Sequence, residues 1–195
     1  MSDENLMEAK AILIGEIAVG KTSLINVSIG MKFNSSQKST ISSNFVKKTI
    51  EINSQKYLIY LWDTAGQEKL KAMTKLFFKG ADIVIFVYDI TSKKSFESLK
   101  DWIKEVEDNL DNQHVCGIAG NKKDLFLQEE VNEELGRKYA NSLGMKFKLT
   151  SAKDDPKSFN DLLEELIKDA KPFLIPKNKI SLKDDKKKDK NGCNC

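Results

Sequence analysis

Residues 15–23 read GEIAVGKTS, in which Gly15, Gly20, Lys21 and Thr22 have the G-x-x-x-x-G-K-[ST] spacing of a phosphate-binding loop. A short apolar run precedes the loop and a helical pattern follows it, which is the context that this motif requires. In such a loop backbone N–H groups surround a β-phosphate, the lysine reaches the β- and γ-phosphates, and the threonine hydroxyl binds Mg²⁺. We therefore predict these phosphate contacts: Gly15, Glu16, Ile17, Ala18, Val19, Gly20, Lys21, Thr22 and Ser23.

Short apolar runs alternate with helical patterns along the rest of the chain, and this order predicts a doubly wound α/β domain. We expect strands at residues 11–14, 45–52, 56–62, 83–88, 115–119 and 146–149. We expect helices at residues 22–31, 95–110, 131–143 and 158–170, the last opened by a capping box at residues 158–161. Asn53 and Ser54 separate the second and third strands and predict a hairpin turn.

The charged residues are unevenly distributed along the 195 residues. The formal net charge is +3, but residues 177–195 contain seven Lys and three Asp and so carry +4, which leaves −1 for the rest. A near-neutral body lacks the basic face of a nucleic-acid-binding domain, so we expect no nucleic acid partner. Cys116 lies in an apolar run typical of a buried small hydrophobe, and three cysteines indicate a reducing compartment without a disulfide framework.

A second motif, DTAGQE at residues 63–68, directly follows a predicted strand. Asp63 is placed to hold Mg²⁺, through a water molecule. Gly66 has no side chain, so its backbone N–H can approach a γ-phosphate closely. Gln67 can orient an attacking water, which is the role that hydrolytic phosphoryl transfer requires. We therefore predict that Gln67 is the catalytic residue.

A third motif, NKKD at residues 121–124, ends the predicted strand VCGIAG. The Asp124 carboxylate can accept two hydrogen bonds from guanine, whereas adenine lacks the exocyclic amine and would leave the carboxylate unpaired. Asn121 can bind the base edge and brace the loop, and the Lys122 stem can cover the ring. The residues Ser151, Ala152 and Lys153 follow a further strand, and the Ala152 N–H can meet guanine O6. Because the carboxyl ends of parallel strands form the ligand-binding edge of such sheets, we predict a guanine site there.

Together these motifs resemble those of the Ras superfamily of small GTPases over roughly residues 8–170, and within it the chain resembles the Rab family. The Rab resemblance rests on TISSNF (40–45), LWDTAGQE (61–68), KLKAMT (69–74), FFKGAD (77–82) and IVIFVYDIT (83–91). It implies a three-layer P-loop small G-protein domain with a mostly parallel six-stranded sheet and one antiparallel edge strand. It also implies an N-terminal extension at residues 1–7, a GTPase domain at 8–172 and a disordered hypervariable tail at 173–195.

The same resemblance implies roles for single residues. Thr40 matches the switch threonine that reaches Mg²⁺ and the γ-phosphate only in the triphosphate state, and Phe33 matches the aromatic residue that covers the guanine face. Phe45, Trp62 and Phe77 match the aromatic triad that Rab proteins present to effectors. The expected cofactor is Mg²⁺, with GTP or GDP as the bound nucleotide.

The chain ends in Cys193, Asn194 and Cys195, which resembles the C-x-C ending that receives two geranylgeranyl groups in Rab proteins. Two lipid chains hold a protein stably where one binds marginally, and nearby lysines add attraction to an anionic leaflet. The resemblance therefore implies the cytoplasmic face of an intracellular membrane, with cycling through the cytosol. The implied partners are an exchange factor, a GTPase-activating protein, a GDP-dissociation inhibitor, a prenylation escort and effectors. No stable homo-oligomer is expected.

Two residues of the phosphate loop depart from the Rab pattern: Ile17 stands where Ser or Thr is usual, and Ala18 where Gly is usual. In addition, the only arginine, Arg137, lies near neither phosphate motif, so we expect a partner protein to supply the arginine finger. Such a finger contributes about 10³–10⁵ in rate. We therefore predict slow intrinsic hydrolysis, slowed further because Ile17 crowds Gln67.

Two other functions are compatible with a phosphate-binding loop. A nucleoside kinase would use the same loop, but the NKKD and DTAGQE motifs and the cysteine-bearing tail argue against it, and no acceptor-binding lid is evident. A GTP-binding module with little or no hydrolysis is favoured by Ile17 and Ala18, whereas the retained Gln67 argues against it.

Overall fold

A six-stranded sheet forms the centre of the computed structural model, which describes residues 6–37, 44–63, 78–110, 113–174 and Pro176. The strands are β1 Met7–Ile14, β2 Asn44–Ile52, β3 Gln55–Asp63, β4 Ile83–Asp89, β5 Val115–Asn121 and β6 Lys146–Leu149. They lie in the order β2-β3-β1-β4-β5-β6. All pairs are parallel except β2 and β3, so β2 is an antiparallel edge strand. The predicted sheet is confirmed.

The β2–β3 hairpin closes over two residues, because Ile52 pairs with Gln55. Asn53 and Ser54 both have positive φ, at 51° and 62°. Positive φ at both central positions is the requirement of a type I′ turn, whose twist matches that of the flanking strands. The predicted hairpin is therefore confirmed.

Helices cover both faces of the sheet. They are α1 Lys21–Ser28, α2 Lys93–Glu97, α3 Leu99–Asn109, α4 Glu133–Ser142 and α5 Pro156–Ala170, with 3₁₀ helices at Lys123–Gln128 and Lys171–Phe173. Apolar residues of α1 and α5 belong to one hydrophobic core, and those of α3 and α4 to a second on the opposite face. Strand β4 is buried along its whole length because both cores contact it. This arrangement has the three layers that the motifs imply.

All four predicted helices begin or end at other residues than expected, and the helix expected at 131–143 spans Glu133–Ser142. The helix expected at 95–110 is two helices that meet at Ser98, whose hydroxyl donates to the Ser95 carbonyl at 3.0 Å and competes with the helical ladder. The helix expected at 22–31 ends at Ser28, and Gly30 follows with φ 89°. The prediction of a capping box at residues 158–161 is wrong, because α5 begins at Pro156 and Ser158 is buried inside its first turn.

Cys116 is partly buried on β5 and packs against the second core, and burial raises the pKa of its thiol to about 12. This agrees with the role of a small hydrophobe that the sequence indicates. Within the described part of the chain, no helix is both long and apolar enough to span a bilayer.

Gly136 on α4 provides a test of the packing between this helix and the sheet. A Cβ there would lie 2.5 Å from the Tyr88 hydroxyl and 2.7 Å from Phe147 Cζ, so alanine overpacks the second core. We expect Gly136→Ala to lower the free energy of unfolding by about 1–3 kcal/mol, although alanine is the better helix former. Urea denaturation measures the change, with Lys138→Ala on the exposed side of the same helix as a control. Equal stabilities for both variants would contradict the packing.

Candidate nucleotide-binding site

The residues predicted to bind nucleotide meet at one edge of the sheet. The phosphate loop follows β1, Asp63 ends β3, the NKKD residues begin at the end of β5, and Ser151 lies two residues beyond β6. These strands are parallel, so their carboxyl ends lie side by side. Such an edge is where open α/β sheets bind ligands.

Two glycines allow the loop to pack closely on the sheet. Gly15 has φ 152°, and a Cβ there would lie 2.1 Å from the Val87 carbonyl oxygen on β4. Gly20 has φ 97°, and a Cβ there would lie 2.3 Å from the Asn121 side-chain nitrogen on β5. Both positions therefore require glycine, and the two glycines allow the loop to pack closely against β4 and β5.

Lys21 is buried inside the loop that it belongs to. Its ammonium donates to the Gly15 carbonyl at 2.7 Å and to the Glu16 carbonyl at 2.8 Å. Burial lowers the pKa of Lys21 to about 8, although the charges of Asp63 and Glu16 oppose the shift. A bound phosphate would favour the charged form further, so the group is suited to an anionic ligand.

Thr22 and Asp63 bring two hard oxygen donors together. The Thr22 hydroxyl donates to Asp63 Oδ2 at 2.6 Å, and Asp63 is 7% exposed. A hydroxyl and a carboxylate beside a phosphate site match the oxygen ligands and incomplete protein cage that Mg²⁺ accepts. The residue that caps the N-terminus of α1 is Gly20, which has no side chain to occupy the free N–H groups. The residues present therefore fit both Mg²⁺ and a phosphate.

Asn121, at the end of β5, connects the phosphate loop to the residue that follows β6. Its side-chain amide is buried, donates to the Val19 carbonyl at 2.8 Å across 102 residues of sequence, and accepts from the Thr150 hydroxyl at 3.2 Å. Thr150 is fully buried beside Ser151. The brace that the sequence predicts for Asn121 is thus made to Val19, and Thr150 supports it from β6.

Asp124 is held by two residues of the segment Ser151–Lys153. The Ser151 hydroxyl donates to Asp124 Oδ1 at 2.6 Å, and the Lys153 ammonium lies 3.9 Å from Oδ2. Ala152, which the sequence predicts to meet guanine O6, is 4% exposed in the same segment. The structure therefore brings the two predicted guanine-binding segments into direct contact.

Lys122 has a partner that the sequence does not reveal. Its ammonium lies 2.5 Å from Asp89 Oδ2, and its backbone has φ 66°. Two other predicted nucleotide contacts, Ile17 and Phe33, are exposed, at 45% and 40%. Ala18 has φ 63°, a left-handed conformation that disfavours any side chain.

Two of the three residues predicted to form the effector surface, Phe45 and Trp62, lie in the described part of the chain. Phe45 and Trp62 stack with their ring centroids 4.9 Å apart, and Tyr60 adds a third ring 5.9 Å from Phe45. The Lys10 ammonium lies 4.8 Å from the Trp62 ring. This pair of predicted residues therefore forms one aromatic cluster, which is half-exposed.

Some predicted residues lie outside the described part of the chain. These are Thr40, Gly66, Gln67, Phe77, Cys193 and Cys195. Conversely, motif matching missed Thr150 and Asp89. The available signal was their position at the carboxyl ends of neighbouring strands, where Thr150 directly follows β6 and Asp89 ends β4.

The chain is similar to known proteins over most of its length. A protein-family model described as the Ras family matches residues 10–172. Ras-related protein Rab-30 of Homo sapiens is 36% identical over 172 residues, which cover 87% of this chain and 85% of that protein. Ras-related protein Rab-21 of Geodia cydonium is 39% identical over 162 residues, 83% of this chain and 70% of its own length. Ras-related protein Rab-8B of Homo sapiens is 40% identical over 144 residues, 74% of this chain and 70% of its own.

The left-handed backbone of Ala18 predicts a stabilising substitution. Ala18→Gly removes the clash between Cβ and the carbonyl group, and we expect it to raise the free energy of unfolding by about 0.5–1 kcal/mol. Thermal unfolding measures this change. Ser142→Gly on α4, which has ordinary helical φ, is the control and should lower stability instead. A lower unfolding temperature for Ala18→Gly would contradict the backbone geometry.

The hydrogen bond from Thr150 to Asn121 predicts that its removal destabilises the fold. Thr150→Val keeps the shape but leaves the buried Asn121 oxygen without this donor, so the free energy of unfolding should fall by about 1–2 kcal/mol. Thr49→Val on the exposed face of β2 is the matched control and should change it by less than about 0.5 kcal/mol. Urea denaturation of both variants decides, and equal effects would argue against the hydrogen bond.

Proposed function

Because the chain belongs to the Rab family of small GTPases, within the Ras superfamily, we propose that it is a GTP/GDP-regulated switch that hydrolyses GTP slowly. The observation that carries this proposal is the connection between the phosphate loop and the guanine segments through Asn121, at 2.8 Å from the Val19 carbonyl. A single buried side chain thus joins the phosphate loop to the NKKD segment, which we propose to bind guanine. A loop that bound only free phosphate would have no need of this connection.

Guanine selectivity follows from Asp124 in this proposal. Its carboxylate accepts from the N1–H and the amine of guanine, while the Ser151 hydroxyl at 2.6 Å keeps it in position. Adenine offers no matching donors, so its binding would leave a carboxylate without hydrogen bonds. Phe33 covers one face of the base, the Lys122 stem covers the other, and the Ala152 N–H meets guanine O6.

At the phosphate end, Lys21 and the loop N–H groups stabilise the charge of the phosphates, and Thr22 and Asp63 hold Mg²⁺. When bound, this ion neutralises the charge that develops on the phosphate oxygens during transfer. Gln67 orients the attacking water. Thr40 and Gly66 contact the γ-phosphate, so that its loss releases the two switch segments, residues 32–44 and 63–78.

Slow hydrolysis is supported by the loop and by the position of the only arginine. The exposed side chain of Ile17 stands in the loop where a small residue would leave room for Gln67. Arg137 pairs with Glu133 on α4 and lies over the Phe147 ring, with its guanidinium carbon 5.3 Å from the ring centroid. The arginine that completes the site therefore comes from an activating protein.

The role of the switch is to recruit effectors in membrane trafficking. Phe45 and Trp62, with Phe77, form the surface that effectors read while GTP is bound. Cys193 and Cys195 carry the lipids that attach the GTPase domain, residues 8–172, to an intracellular membrane. An exchange factor, an activating protein, a GDP-dissociation inhibitor and a prenylation escort complete the cycle, in keeping with family membership.

A GTP-binding module with little turnover is the second candidate. Two observations favour it: Ile17 is 45% exposed within the loop, and Ala18 holds a left-handed backbone where glycine would be unstrained. Both act on the γ-phosphate pocket, and neither removes a group that binds nucleotide. The two candidates therefore differ only in the rate of the chemical step.

Single-turnover hydrolysis of bound GTP distinguishes them. We expect the parent protein to release guanine nucleotide on denaturation and to convert GTP to GDP slowly, with Ile17→Ser faster by about tenfold, or about 1.4 kcal/mol. Ile29→Ser, at an isoleucine that is 38% exposed beyond α1, is the matched control and should keep the parent rate.

Three results would revise the proposal. A parent protein that retains no guanine nucleotide would overturn the switch function itself. Equal rates for Ile17→Ser and the parent would remove the steric explanation. Absence of turnover in every variant, even with an activating protein, would establish the non-hydrolysing module.

A further inference from the structure

Asp89 is a buried carboxylate whose two oxygens have different partners. It ends β4 and is 7% exposed. Oδ1 accepts from the Thr91 N–H at 2.9 Å and from the Thr91 hydroxyl at 2.7 Å. Oδ2 lies 2.5 Å from the Lys122 ammonium. One oxygen thus closes the turn that leaves β4, and the other reaches a residue of the guanine segment.

The backbone of Asp89 is fixed as firmly as its carboxylate. Its N–H donates to the Ser95 hydroxyl at 3.0 Å, and Ser95 is buried on α2. In the sheet Asp89 pairs with Asn121, the residue that braces the phosphate loop and directly precedes Lys122. A buried, immobile anion therefore lies beside the strand end from which the guanine segment begins.

We propose that Asp89 is a positioning residue of the guanine site that acts through Lys122, an inference that rests on the proposed function. Lys122 is held at its Cα by the end of β5 and at its ammonium by Asp89, so its alkyl stem has both ends fixed. A lysine stem that is ordered before the base arrives loses little further rotamer freedom on binding. The ion pair thereby preorganises the surface on which the guanine ring rests.

The inference predicts a specific kinetic pattern. The hydrogen bonds and the ion pair described for Asp89 are made to Thr91, Ser95 and Lys122, so its loss should affect GDP and GTP alike. Among variants of one binding site, affinity changes are mostly changes in the dissociation rate. Faster release of both nucleotides, by the same factor, is therefore the expected signature.

Asp89→Asn is the most informative variant. The amide oxygen can still accept from Thr91, whereas the amide nitrogen that replaces Oδ2 cannot pair with an ammonium. In the full-length protein with Mg²⁺, we expect the release of N-methylanthraniloyl-GDP to become about tenfold faster, since a hydrogen bond to a charged group is lost. A fluorescent non-hydrolysable GTP analogue should show the same factor.

A double-mutant cycle separates positioning from general stability. Lys122→Met should accelerate release by itself, and Asp89→Asn should add no further acceleration in the Lys122→Met background. Thr91→Val is the matched control, because it removes one hydrogen bond to Oδ1 and leaves the pair between Oδ2 and Lys122. It should lower the unfolding temperature while changing nucleotide release less than about twofold.

The outcomes are distinct. Parent-like release in Asp89→Asn, or an equal acceleration with and without Lys122, would overturn the role of Asp89 while leaving the switch function intact. A parent protein that binds no guanine nucleotide would overturn the proposed function and this inference with it. The inference is supported if Asp89→Asn accelerates nucleotide release in the parent protein but not in the Lys122→Met background. The unfolding temperature of Asp89→Asn should then be no lower than that of Thr91→Val.

Discussion

The buried amide of Asn121 is the interaction on which the rest of the site depends. Its nitrogen holds the Val19 carbonyl of the phosphate loop at 2.8 Å, and its oxygen accepts from Thr150, so three strand ends are joined by one side chain. A buried amide that lost either partner would leave a polar group unsatisfied, which costs about 1–3 kcal/mol. The same nitrogen also forces glycine at position 20, because a Cβ there would lie 2.3 Å away. The glycine at position 20 of the phosphate loop and the asparagine that begins the NKKD motif therefore depend on each other.

Further polar contacts lie at the same edge of the sheet as this amide. Asp89 holds Lys122, Ser151 holds Asp124, and Lys21 is tied to the carbonyls of its own loop. Of the residues that fix these side chains, only Asp89 lies outside the predicted ligand-binding residues. Together the contacts fix the orientation of all three side chains. Low-dielectric surroundings strengthen such networks when every member is satisfied, which explains why polar groups can be concentrated at this edge of the sheet.

Sequence patterns predicted the sheet better than the helix boundaries or the supporting contacts. The buried run at β4 and the two-residue turn at Asn53 and Ser54 depend on local residues, so both could be predicted. The break between α2 and α3 depends on the Ser98 hydroxyl, which bonds the carbonyl three residues earlier, and the start of α5 depends on Pro156. The spacing of apolar residues shows neither of these boundaries. Spacing predicts the motif residues, and the described ones lie together at one edge of the sheet, whereas Asp89 and Thr150 belong to no motif. Their partners lie on other strands and meet them only through the parallel register.

The two carbonyl bonds of Lys21 have a geometric consequence. A lysine ammonium has three donors and normally acts as a rotating point charge that attracts any nearby anion. Here the Gly15 and Glu16 carbonyls occupy two of these donors, so the group cannot turn freely and the third donor has a fixed direction. The Lys21 ammonium therefore donates its remaining hydrogen bond in one direction only. Its interaction with a ligand oxygen depends on the position of that oxygen as well as on its charge. In this respect the Lys21 ammonium resembles a backbone N–H, whose direction is fixed, more than the ammonium of a surface lysine, which turns freely.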